Sequence, residues 1–347
     1  MSCDPFCLSS CLAFRYVAKA GCKWKPGVIP DFPSASTHPA KRVGTSEEIL
    51  AGLTEALAPI QGREDVGLLL SGGMDSAILA ALLPRGTRAY TIRFLADGAV
   101  DETEWAARYA AKSGLPLTVI DVAWNDYEES MDTLMRRKRS PLHAVEVGLY
   151  KAACRASADG LRHLIVGNGA DSTFGGLDKL LARDWTFSDF AARYSFVHPE
   201  DVLVDPISVQ NVFEPYRRGD CIDVQSFLKV VHGLGIIQAF ENAIGAAHCF
   251  MVAPYEELAL DGVLDIARIR RGESKYLVRT LFARLYPEFT APNKIPFARP
   301  MDRWLGSWQG PSRPEFRRDL DWSRFNGEQR WILYTLNRFL GLIDGDS

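Results

Sequence analysis

An apolar run, Val66-Gly67-Leu68-Leu69-Leu70, leads directly into Ser71-Gly72-Gly73-Met74-Asp75-Ser76 and then into Ala77-Ile78-Leu79-Ala80-Ala81. A buried strand that breaks into a glycine turn and restarts as a helix constrains the fold more than any other feature of the chain. Gly72 and Gly73 let the backbone approach an anion closely. The first amides of the new helix, and the positive end of its dipole, then face that anion. Ser71 and Ser76 add hydroxyl donors. Asp75 suits such a site only if it holds a cation against the ligand, and Mg²⁺ between a carboxylate and phosphates is the expected arrangement. The Lys-Ser/Thr ending of a Walker loop is missing. The plain alternative is a strand-to-helix turn with an acidic residue near its start.

Further strands and helices alternate after this turn. Residues 88–94, which include Ile92, 116–122 and 162–167 read as strands; residues 46–60, 101–113, 126–137 and 145–157 read as helices. That alternation predicts an α/β fold with a doubly wound parallel sheet, whose ligands sit beyond the carboxyl ends of the strands at the switch in strand order. Residues 71–76 and 167–171 then share one mouth. Three regions are expected: an N-terminal segment over 1–45, an α/β core over 46–184, and a mostly helical extension over 185–347 that completes the substrate pocket.

Composition excludes several classes. A net charge of −3 gives no basic footprint for nucleic acid. The run Arg136-Arg137-Lys138-Arg139 reads as a solvated face. No apolar stretch reaches the roughly 18–20 residues of a membrane span, and the N-terminus lacks the features of a signal peptide. A cytoplasmic protein without membrane or nucleic-acid partners is expected, and its 7 cysteines should stay reduced. Cys3, Cys7 and Cys11 are spaced to share a helix face; without a C-x-x-C pair they read as core residues rather than metal ligands.

The fourth strand closes in a second glycine turn, Gly167-Asn168-Gly169-Ala170-Asp171-Ser172-Thr173-Phe174-Gly175-Gly176. With residues 71–76 and Asp101-Glu102-Thr103-Glu104-Trp105-Ala106, this resembles the synthetase domain of the asparagine synthetases and their relatives, within the N-type ATP pyrophosphatase (PP-loop) superfamily. There the corresponding segments read SGGLDS, DE-x₃-A and GEGADE-x-F-G-G. Residues 274–279, 292–305 and 331–337 resemble further segments of that family. The resemblance implies ATP on the first turn, contacted by Ser71, Gly72, Gly73, Asp75, Ser76, Ile92 and Gly167, with Mg²⁺ held by Asp75 and Asp171. It implies Lys294 beside the phosphates as the cation that stabilises developing charge. The implied reaction adenylates a small-molecule carboxylic acid, releases pyrophosphate, and passes the acyl group to ammonia or an amine.

Three departures qualify this. Ser2 stands where a glutaminase domain needs its cysteine, so nitrogen should come as free ammonia, from a separate glutaminase or partner protein, or as another amine. Asn168 replaces the glutamate thought to help deprotonate the nitrogen, and an amide is no base; Glu146 is a candidate replacement, against the plainer reading of an exposed helix glutamate. In residues 249–257, which resemble GVEARVPFLD, Phe250 and Val252 replace the charged pair, an expected apolar pocket wall that disfavours aspartate as substrate. Two other readings stand beside the ligase: a sulfur-transferring PP-loop enzyme using a reactive cysteine, and a nucleotide-binding relative without catalysis.

Overall fold

The computed structural model describes residues 3–33, 40–290 and 299–345. Five strands form a parallel sheet: β1 (Val66–Leu69), β2 (Arg88–Phe94), β3 (Leu117–Val122), β4 (His163–Ile165) and β5 (Phe250–Val252), in the order β3-β2-β1-β4-β5. The first four fall where the apolar runs put them. The fifth comes from the stretch expected to be helical, because Phe250-Met251-Val252 is too short an apolar run to stand out in sequence.

The sheet is buried on both faces. Leu68 and Leu70 enter one core with Ile49, Ile78, Tyr109 and Phe282, while Leu69 enters the opposite core with Tyr127, Leu149 and Ala243. Helices α2 (Ser46–Leu57), α3 (Met74–Leu82), α4 (Thr103–Ser113) and α9 (Tyr276–Leu285) cover the first face. Helices α5 (Trp124–Lys138), α6 (Glu146–Ala158) and α8 (Gly233–Ala246) cover the second. Parallel strands with both faces covered need this apolar character throughout. Helix α2 starts at a reciprocal cap: Thr45 Oγ1 accepts from the Glu48 amide and Glu48 Oε2 accepts from the Thr45 amide, both at 3.1 Å. Residues 41–43 and 258–260 form a separate parallel pair beside it.

The chain termini close on the second core. Helix α1 (Pro5–Phe14) buries Cys7 and Cys11 there, alongside helix α10 (Gly327–Gly345). The cysteines are free, and among the described residues no group of three or more histidine, cysteine, aspartate or glutamate side chains is placed to hold a metal. Between α7 (Ala170–Phe174) and α8 the chain builds a satellite aromatic core, in which Phe213 and Phe227 stack at 4.9 Å with Phe190 and Tyr194 edge-on. No helix among the described residues is long and apolar enough to cross a membrane.

Two charged residues sit in the second core rather than on its surface. Lys138, expected on a solvated face, is 1% exposed and donates to Glu146 Oε1 at 2.6 Å. Glu146 is itself fully buried, and also accepts from the His143 amide at 2.6 Å and from Asn242 Nδ2 at 2.7 Å. It neither lies on an exposed helix face nor lines the cavity described below, because its carboxylate is consumed in joining α5, α6 and α8. Burial lifts its carboxyl above the usual range, against the pull of Lys138, Asn242 and the His143 amide. Removing one member of a buried pair strands the other's charge. Glu146→Ala should therefore lower the free energy of unfolding by about 3–5 kcal/mol in denaturant titrations; a loss below about 1 kcal/mol would show that Lys138 reaches water on its own.

Candidate active site

Strand order reverses between β1 and β4, so the turns that follow them open onto one crevice at the carboxyl edge of the sheet. The turns touch. A Cβ on Gly167 would lie 3.1 Å from the Ser76 amide nitrogen and 3.3 Å from Asp75 Cβ, so a side chain there would push the two loops apart by a few tenths of an ångström. The first turn is braced from within: the Ser71 and Ser76 hydroxyls are 2.9 Å apart, and Ser76 Oγ accepts from the Ser71 amide at 3.1 Å. Gly73, the N-cap of α3, supplies no side-chain cap. The helix therefore offers its first amides to whatever anion enters.

Asp75 in the first turn of α3 and Asp171 in the first turn of α7 converge on one ammonium group, that of Lys275. Its Nζ lies 2.8 and 2.6 Å from the two Asp75 oxygens and 2.9 Å from Asp171 Oδ1. Lys275 is almost wholly buried and sits at the start of α9 with φ of 52°, a left-handed conformation that costs a non-glycine residue energy. Burial alone would lower its pKa, but the two carboxylates together raise it above the usual lysine value. Tyr255, from the segment after β5, donates its hydroxyl to the Asp75 carbonyl at 3.2 Å. Two carboxylates aimed at one point, beside a turn of free amides, form an oxygen donor set that fits Mg²⁺, which binds through one or two carboxylates plus phosphate oxygens and water.

A cavity of about 320 Å³ opens from these turns. Of the residues singled out in the sequence, Ser71, Gly72, Asp75, Ser76, Ile92, Gly167, Asn168 and Asp171 line it; Gly73, the N-cap of α3, does not, and Lys294 falls outside the described residues. The far wall is apolar, built from Val145, Leu149, Ile236 and Phe240, with His143, His232 and Arg299 as its polar members. His143 Nε2 faces Arg15 Nη1 at 3.0 Å, and burial together with Arg15 keeps the ring neutral far below the ordinary histidine range. Arg299 is paired with Glu328 at 2.8 Å. His232 closes a short π-helical turn, Leu228–His232, a distortion common beside functional sites.

Two expectations about this wall change. Phe250 opens β5 at the opposite end of the strand, 66% exposed with its ring against His163, and neither it nor Val252 lines the cavity. The pocket is apolar, but through α6 and α8. No cysteine lines the cavity either, so the thiol-based reading finds no residue to carry it. Lys275 and Glu256 are the site residues that sequence reasoning passed over. Lys275 lay within a segment already seen to resemble the family, but nothing in that spacing said which lysine would turn inward.

Fold and site define a doubly wound α/β domain with its crevice at the topological switch point. Residues 48–219 match the asparagine synthase family. The amidase chry2 of Gibberella zeae is 25% identical over 166 residues, covering 41% of this chain and 25% of that protein. The putative asparagine synthetase [glutamine-hydrolyzing] 1 of Methanocaldococcus jannaschii is 29% identical over 123 residues, covering 35% and 23%. The matched stretch thus spans about a quarter of the length of these curated relatives. Similar solved structures include the glutamine-dependent NAD+ synthetase of Acinetobacter baumannii with ADP, at TM-score 0.28 and 21% identity, covering 38% of this chain and 27% of that one. The NMN synthetase of Francisella tularensis follows at TM-score 0.26 and 15% identity, covering 73% and 97%.

Lys275→Met would leave Asp75 and Asp171 facing each other without a cation. Like charges favour proton uptake by the folded state, so the folded form gains stability as pH falls through the carboxylate range. The variant should lose roughly 3 kcal/mol near neutral pH, and the deficit should shrink on acidification. A deficit independent of pH in thermal or denaturant unfolding would mean that the two carboxylates separate once the lysine is gone.

Proposed function

We propose that this protein is an ATP-dependent ligase that adenylates a carboxylic acid and transfers the acyl group to ammonia or an amine. The observation that carries this reading is the pair of glycine turns at the β1–β4 crevice, each presenting an aspartate to the same buried cation. Such a site binds a polyphosphate through backbone amides and answers its charge with lysine and metal together.

In this reading residues 71–76 hold the phosphates of ATP, and Ile92 on β2 borders the nucleoside. Asp75 and Asp171 would hold Mg²⁺, which when bound neutralises phosphate charge. Lys275, freed in part from the aspartates by the incoming anion, stabilises the negative charge that builds on the α-phosphate and pyrophosphate as the substrate carboxylate attacks. The acyl group lies against Val145, Leu149, Ile236 and Phe240. That wall suits an aromatic or aliphatic acid better than aspartate, since its guanidinium, Arg299, is already paired with Glu328 and a second carboxylate against the apolar side chains would lose water. A nitrogen nucleophile then displaces AMP from the acyl-adenylate. The chry2 relative is named an amidase and the other an asparagine synthetase, both names of carbon–nitrogen chemistry at a carboxyl carbon.

Pyrophosphate release from ATP and Mg²⁺ should depend on an added acid from a panel of benzoate, phenylacetate, hexanoate and aspartate, with one of the first three preferred. Asp75→Asn should reduce that release by roughly 10²-fold or more while far-UV circular dichroism stays unchanged. Acid-independent release, or full activity in the variant, would remove the reading.

A further inference from the structure

An amide formed from ammonia or an amine must shed a proton from the attacking nitrogen, and a positioned acceptor for it is worth about 10²–10⁴ in rate. Asn168 offers no such acceptor. The other ionisable groups at the cavity are already committed. Asp75 and Asp171 are bound to Lys275. His143 is buried against Arg15 and holds a proton only weakly. His232 Nδ1 is 3.1 Å from the Tyr194 hydroxyl. Glu102 lies under the first turn, its Cβ 2.7 Å from where a Cβ on Gly72 would be, on the nucleotide side.

Glu256 differs from all of these. It follows β5, lines the cavity, and its Oε1 accepts one hydrogen bond, from Asn168 Nδ2 at 3.1 Å. A carboxylate only accepts, so this contact fixes the orientation of the amide. Asn168 Oδ1 is then left buried without a hydrogen-bond partner among the described residues. The turn is shaped around the carboxylate: Gly169 has φ of 96°, and a Cβ on it would stand 2.9 Å from the Glu256 carboxyl carbon. In the resemblance drawn above, position 256 corresponds to the leucine of GVEARVPFLD and position 168 to a glutamate. A carboxylate is absent from one and present at the other, and the two side chains touch.

We propose that Glu256 is the catalytic base that receives the proton of the attacking nitrogen, held in position by Asn168. This rests on the ligase reading. The nitrogen lone pair forms the C–N bond, the bond from the acyl carbon to the AMP oxygen breaks with its electron pair, and the proton shed by nitrogen passes to Glu256. Asn168 Oδ1 accepts a second N–H of the same nitrogen and so orients it. Burial raises the Glu256 carboxyl above the usual glutamate range, against the Asn168 contact and the Lys229 charge, which moves it toward the neutral pH at which a base is most effective. The charged and titratable groups around it are Lys229 on the π turn, His143 and His232 on the far wall, and Asp75 and Asp171 across the cavity.

Two half-reactions separate this role from a structural one. ATP–pyrophosphate exchange with the preferred acid of the panel reads adenylation without nitrogen; amide formation with ammonium chloride reads the second step. Glu256→Gln should keep exchange within about 3-fold and slow amide formation by about 10²–10⁴-fold. With ammonium chloride adjusted so that the free ammonia concentration is constant, the rise of amide formation with pH should disappear in the same variant. Asn168→Glu combined with Glu256→Leu should recover at least about 10-fold over Glu256→Gln, by returning a carboxylate to the adjacent position. Amide formation at the wild-type rate in Glu256→Gln would overturn the assignment, as would a parallel fall of exchange and amide formation with no recovery in the double variant. Absence of exchange in the wild-type protein with every acid would instead overturn the ligase reading, and Glu256 with it.

Discussion

The bond on which the rest of the molecule depends is the one that Lys275 makes to two aspartates. Asp75 hangs from the turn after β1, Asp171 from the turn after β4, and Lys275 from the start of α9, some hundred residues further on. A buried ammonium without these partners would lose its proton or draw in water; two carboxylates without the ammonium would repel. The charges are affordable only together, so each fixes the other two. A left-handed backbone conformation accompanies the lysine, so the arrangement carries a conformational cost of its own.

That cluster also explains why the sheet and the helical second half of the chain form one body. Tyr255 reaches back to the Asp75 carbonyl, Glu256 to Asn168, and α9 packs on α2 and α3. The wall opposite the phosphate turn comes from α6 and α8, whose register is set by a buried lysine–glutamate–asparagine network. Polar contacts thus decide where the helices sit, and apolar contacts decide that they stay.

The parts legible in the sequence were those governed by short-range physics. Residues 66–82 declared strand, turn and helix because burial, glycine and helix propensity all act within a few residues. The second turn was legible for the same reason. Long-range pairings were not. Nothing local marks Lys275 as an inward cation, or Glu146 as a core residue rather than a surface one, since the partners of each lie far away in sequence or on other helices. Phe250 was read as pocket wall from its alignment alone, yet a three-residue strand sends it to the far edge of the sheet. Glu256 went unnoticed because a second acidic residue, Glu257, follows it, and a pair of glutamates in a loop looks like ordinary solubility.

The fifth strand carries one more consequence, which concerns how the chain comes to be folded. Without β5, the backbone of β4 would present an unpaired hydrogen-bonding edge to solvent, next to an uncovered hydrophobic face that α8 normally shields. The segment that matches the asparagine synthase family stops before both elements. A ribosome that has completed only that segment therefore holds a sheet that is sticky along one side and two aspartates that still lack their counter-charge. The sheet is completed only by residues 233–285, and until they emerge the open β4 edge is available for pairing with other chains.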